Sequence, residues 1–230
     1  MQAMEYKRLK VSRLQNLNDI YDASPRIIYE TGSPRGRNHE FEKHFNEQVI
    51  QNMGINCYCG TSENLLLWSH YGGSHRGVAL GFAIDEGWYQ AAIDTDRQAA
   101  RLTIKVDYPG GNDRAVLDWQ NHIEPLPVEH QMHEVLRRGY TVKGEDWKYE
   151  DEYREFVFLS KCVPSGTLYF SNFRPGSLRE VILGERCALE PKFVADLAHH
   201  VRDLAAPTPK ILRARSDENS FRVNIEDAFA

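Results

Sequence analysis

At 230 residues the chain can bury about 70% of its unfolded surface, so folding requires neither disulfides nor a structural metal. Charged residues at 27% and aromatics at 11% exclude a disordered composition. A formal charge of -5 gives no electrostatic basis for binding double-stranded DNA or an anionic membrane.

The opening MQAMEYKRLK lacks the apolar centre of a signal peptide. No run approaches the roughly 18 apolar residues of a membrane span. The cysteines Cys57, Cys59, Cys162 and Cys187 form no C-x-x-C, and read as buried, reduced thiols rather than zinc ligands or disulfides. The expected compartment is the cytoplasm. The expected partner is a small-molecule ligand, not nucleic acid or a membrane; the oligomeric state is not encoded in any pattern.

The elements follow in chain order. A strand is expected over Leu9–Leu14, then a turn at Asn16–Asp19 and a loop over Thr31–Asn38, rich in Gly, Ser and Pro. Phe41, Phe45, Val49 and Met53 recur every four residues, the period of an amphipathic helix. Ile55–Cys59 reads as a strand, and Ser62 or Asn64 caps a helix over Leu65–Tyr71 that stops at Gly72-Gly73. The strand Gly77–Ile84 has one bulky face (Val78, Leu80, Phe82, Ile84) and one small face (Gly77, Ala79, Gly81, Ala83). Either a helix or a ligand packs close to that small face.

Leu102–Tyr108 alternates as a half-exposed strand, and Asn112–Arg138 is expected to be helical with a break at Pro125-Leu126-Pro127. Strands follow at Glu152–Leu159, Leu168–Ser171 and Val181–Leu183, then a helix with Pro191 at its first position and an apolar stripe of Phe193, Leu197, Val201 and Leu204. Ile211–Arg215 and Phe221–Ile225 close the chain as a hairpin. The pattern is one α+β domain spanning 1–230, with a mixed, largely antiparallel sheet and a helical insertion at about 112–138.

Polar residues of functional type concentrate in two stretches. In Trp147–Phe158, strand alternation puts Glu150, Glu152 and Arg154 on the face that continues into Phe156 and Phe158. Charges entering a core must pair or line a polar cleft. Glu152 and Arg154 therefore form either a structural ion-pair network or a cleft carboxylate held by its neighbours. In Trp68–Gly77, Trp68 and Tyr71 share a helix face, while His70 and His75 flank a glycine-rich turn that a ligand's backbone contacts could use. The His130-x-x-His133 pair has no third ligand in view, and no metal is expected.

The set Leu17-Asn18-Asp19, Cys57, Leu67–Tyr71, His75–Gly77, Phe82, Asp107-Tyr108, Lys143, Trp147, Glu150, Glu152–Arg154 and Gly184 resembles a bacterial family known as domain of unknown function 2971. Members of that family begin with a further strand and helix bearing Tyr and Arg, whereas here only Met1–Arg8 precede the first strand; a shortened start is expected. Glu150-Asp151-Glu152 is in addition similar to the E-x-E of ADP-ribosyltransferases, which implies a split sheet and NAD as substrate. Carried over, Glu152 is the catalytic carboxylate that stabilises an oxocarbenium-like centre, and Glu150 orients the acceptor or water. Trp68 or Tyr71 would stack on nicotinamide, Arg8 or Arg13 would face the pyrophosphate, and Ser62 would hold the usual serine position. Three readings follow: an NAD-consuming transferase, a non-catalytic ligand- or partner-binding module of bacterial stress or defence, and a hydrolase or nuclease using His70 or His75 with Glu152.

Overall fold

A computed structural model of the chain describes residues 2–22, 24–28, 39–83, 102–110, 114–174, 176–201 and 207–230. The expected loop Thr31–Asn38, and Ile84 and Leu204 of the expected apolar faces, lie outside these residues. The fold is α+β with mostly antiparallel sheets. The chain divides into two compact units, 1–10 with 59–88 and 170–230, and 11–58 with 89–169.

The first unit is built on a four-stranded sheet of Val78–Phe82 (β4), Leu178–Leu183 (β10), Lys210–Ser216 (β11) and Val223–Asp227 (β12), in the order β12-β11-β10-β4. β4 pairs antiparallel with β10, and β12 antiparallel with β11, the closing hairpin expected from the sequence. β10 and β11 run parallel, because the helix Pro191–Val201 between them carries the chain back over one face. Period-two alternation then divides the core. Val181, Leu183 and Ile211 pack with Val194 and Ala198 of that helix. Ile182 and Ala214 face the opposite way, toward Trp68 and Val223. Ala79 packs in the same group as Trp68, so a helix covers the small face of β4.

The second unit holds most of a six-stranded sheet in the order β5-β7-β3-β1-β9-β8. Its strands are Arg8–Arg13 (β1), Met53–Cys59 (β3), Leu102–Lys105 (β5), Glu152–Phe158 (β7), Val163–Ser165 (β8) and Leu168–Asn172 (β9). Ile55, Met53 and Phe156 meet Val49 of the helix His39–Asn52, together with Leu136 and Tyr140, in the largest apolar group. The other face carries Val11, Val157 and Leu159. At Gly54 the neighbouring strand's side chain fills the space a Cβ would need, since a methyl group there would sit 2.3 Å from Val11 Cγ1.

Two expectations are corrected here. Val116–Asp118, inside the stretch expected to be helical, is a strand (β6) paired in parallel with Arg26–Ile28 (β2). Its Val-Leu pair buries Leu117 against Ile27, and tertiary burial overrides a local helical reading. Helical structure starts at Trp119–Ile123, and after the break at the two prolines resumes at Val128–Val135 and continues to Tyr140. The four cysteines are all free, but only Cys187 is buried; Cys57 and Cys59 are exposed. No helix among the described residues is long and apolar enough to cross a membrane.

Candidate functional site

The charged stretch Trp147–Arg154 does not run as one strand. Glu145–Glu150 is a 3-10 helix, Asp151 takes a left-handed backbone (φ 43°), and β7 begins only at Glu152. Strand alternation therefore does not explain Glu150. It reaches the same place because the left-handed residue folds the helix end back onto the strand mouth.

Lys143 is brought there by the backbone. Its N–H donates to Asp107 O at 3.0 Å, and Asp107 N–H donates to Thr141 O at 2.8 Å. Val106 N–H in turn donates to Glu152 O at 2.8 Å. The segment following the helical region is thus stitched to the end of β7. Asp22 arrives from the turn that starts at Asp19, whose carboxylate accepts from Tyr21 N–H at 2.9 Å and whose carbonyl accepts from Asp22 N–H at 3.1 Å.

These elements assemble a buried charge network. Arg154, 1% exposed, donates from Nε and Nη2 to Glu152 at 2.8 and 3.0 Å, from Nη1 to Tyr140 O at 2.8 Å, and from Nη2 to Asp22 Oδ1 at 2.8 Å. Lys143 Nζ donates to Glu150 at 2.5 Å and Glu152 at 3.1 Å, and stands 3.8 Å from Asp22 Oδ2. The ammonium also lies 4.5 Å from the centre of the Trp147 ring. Glu152 N–H donates to Tyr108 Oη at 3.0 Å. On the opposite face of β7, Glu155 accepts from Asn56 Nδ2 and Tyr58 Oη.

Burial and pairing pull these groups in different directions. For Glu152 burial raises the carboxyl, but Arg154 and Lys143 outweigh it and hold the group below its ordinary value. Burial alone would lower Lys143; Glu152, Glu150 and Asp22 together hold it well above its ordinary value. Asp22 is the exception. Burial raises its carboxyl, and Arg154 and Lys143 offset only part of that. The Cys57 thiol is pushed well up by its low-dielectric surroundings and then by the adjacent Glu152 charge, although the residue as a whole keeps solvent exposure.

A cavity of about 710 Å³ adjoins the network within the same unit. Asp22 and Lys143 belong to both, and Trp147, Tyr21 and Arg114 supply further wall. Arg114 is held over the Tyr21 ring at 5.4 Å, with Nη2 on Ser24 Oγ at 3.1 Å and on the Ser24 carbonyl. Asp19, Glu145 and Asp146 complete the acidic rim. Glu150, Glu152 and Arg154 lie behind this wall and do not line it.

The other expected site residues fall elsewhere. Arg13 is half-buried in β1, with an Nε that has no hydrogen-bond partner. Ser62, Trp68, Tyr71, His70 and His75 belong to the first unit. There Asn64 caps the helix Leu65–His70 through Leu66 and Leu67 N–H, and Trp68 Nε1 donates to Ser62 O at 2.7 Å. Trp68 is buried core, whereas Tyr71 is exposed. His70 stands edge-on to Tyr71. His75 stacks on Trp68, with Nε2 at 3.3 Å from Ser69 Oγ. Gly73, Ser74 and His75 are consecutively left-handed, with φ of 58°, 55° and 67°. Gly184 makes room for that turn, since a Cβ there would lie 2.3 Å from His75 O.

Asp22 escaped the sequence reading. Its partner Arg154 is 132 positions away, and no local pattern links a turn aspartate to a distant strand. Lys143 and Cys57 had a signal, since both belong to the set that carries the family resemblance.

No curated protein and no solved structure matches this chain. Residues 67–155 match a family described as "Protein of unknown function (DUF2971)", a segment that runs from the Trp68–Gly77 turn through Lys143 and Trp147 to Arg154. Over that segment the chain is similar to the DUF2971 family.

Proposed function

We propose that the chain is a non-catalytic binding module whose second unit holds a small polar molecule in the cavity floored by Asp22 and Lys143. The observation that carries this reading is the cavity itself. Its 710 Å³ fall within the ~300–1,000 Å³ of small-molecule sites, and its wall combines an aromatic ring with a few fixed polar groups.

The chemistry of the wall favours binding over turnover. Lys143 is held as an ammonium by three carboxylates, so it is neither a base nor a nucleophile. Glu152, the carboxylate that the ADP-ribosyltransferase comparison makes catalytic, is 4% exposed and engaged by two cations. An NAD-consuming reaction would need that charge opposite a ribose. The acidic rim of Asp19, Glu145 and Asp146 also opposes a pyrophosphate. The histidine-based hydrolase reading draws on groups of the first unit and gains nothing from this cavity.

The test is a thermal-shift screen of the full chain against a metabolite panel, with NAD turnover assayed in parallel. A ligand should raise the melting temperature in wild type and not in Trp147→Ala, without product. Nicotinamide release that depends on Glu152 would overturn the proposal, as would a panel that stabilises neither protein.

A further inference from the structure

The structure also assigns a charge to the occupant: we infer that the cavity recognises a cationic nitrogen, an ammonium or guanidinium group, seated on Asp22 Oδ2. This rests on the reading of the cavity as a ligand site and names the class of ligand. Asp22 has a side chain 4% exposed, and it lines the cavity. Its Oδ1 is taken by Arg154 Nη2 at 2.8 Å. Its Oδ2 has Lys143 Nζ at 3.8 Å, beyond hydrogen-bonding reach. Oδ2 thus pairs with Lys143 only through space and keeps its acceptor capacity toward the cavity, where a ligand donor can use it.

The cations of the wall do not compete for the role. Lys143 directs its N–H groups at Glu150 and Glu152, and Arg114 Nη2 is on Ser24. The cavity therefore offers an acceptor at Asp22, and the ammonium beside it is directed at Glu150 and Glu152. Asp19, Glu145 and Asp146 add negative potential at the rim, which draws in positive charge and repels phosphate or carboxylate. The Trp147 face provides a surface against which a cation or a planar guanidinium can lie.

Four probes with the same four-carbon chain test this without altering the protein: putrescine, agmatine, 1,4-butanediol and succinate, followed by chemical shifts of the Trp147 indole and the Lys143 amide. Putrescine and agmatine should shift both signals saturably, and the diol and the diacid should bind at least tenfold more weakly. Asp22→Asn should weaken the cations about tenfold, whereas Arg114→Ala should leave their binding equal or tighter. Succinate binding as well as putrescine would overturn the charge assignment while leaving the cavity as a ligand site. Unchanged agmatine binding by Asp22→Asn would do the same. Silence of the Trp147 and Lys143 signals toward all four probes, together with a metabolite panel that raises no melting temperature, would overturn both readings.

Discussion

Asp22 and Arg154, 132 positions apart in the chain, meet at 2.8 Å between Oδ1 and Nη2. That contact closes a network which Glu152, Glu150 and Lys143 begin within a few residues of one another. It also brings the buried charges to the wall of the cavity. The charges therefore both hold the second unit together and set what its cavity can accept.

Arg154 is the member whose loss costs most. Arg154→Met removes the donors to Glu152, Asp22 and Tyr140 O, leaving Lys143 as the one cation for three buried carboxylates. Breaking a buried pair from one side costs about 3–5 kcal/mol, and denaturant unfolding of the full chain should show a loss of that order. Arg154→Lys should recover only part of it, because an ammonium cannot reproduce the fork. A loss below about 1 kcal/mol for Arg154→Met would show that the network contributes little.

Coupling between the two cations and the shared carboxylate is expected to be strong. Lys143→Met and Arg154→Met both act on Glu152, so their effects should fail to add by about 1 kcal/mol or more in a double-mutant cycle. Additivity would mean that the two pairs are independent.

The pH response has opposite signs at two carboxyls. Glu152 is held below its ordinary value, so its contribution is present above the unfolded value and is lost as pH falls through the folded one. Asp22 is raised, so it takes up its proton first as pH falls, and its protonation favours the folded state relative to the unfolded one. Cation binding should therefore weaken on acidification before the fold does, as followed by titration and far-UV circular dichroism over the same pH series. Binding that persists until the protein unfolds would contradict this order.

In the first unit, Gly184→Ala places a methyl group 2.3 Å from His75 O. Backbone must shift, and the cost should be about 1–3 kcal/mol. Asn64→Ala, which removes the cap on Leu66 and Leu67 N–H, should cost about 1 kcal/mol. Neither should change ligand binding in the second unit; a thermal-shift series with and without ligand checks both statements.

Most of the elements were legible because their signals are local. The four-residue spacing of Phe45 and Val49, Asn64 before a leucine run, and alternation along β4 each depend on a few adjacent side chains, although Met53 of the same series falls in β3. The strand Val116–Asp118 was not legible, because its pairing partner Ile27 lies far upstream. At the site, Glu152 and Arg154 were found from alternation, and the ion-pair alternative weighed for them describes their contacts. Asp22 was invisible, since nothing near it in sequence marks it as the fifth member of a network.

The central claim is that the cavity beside Asp22, Lys143 and Trp147 is where a ligand binds. Its most direct test follows the indole N–H signals of the full chain by NMR while the best stabilising metabolite is titrated. Trp147 should shift saturably with the dissociation constant of the thermal effect, while Trp68, held by Ser62 O in the first unit, should stay in place. A titration that moves Trp68 and leaves Trp147 unchanged would contradict the account.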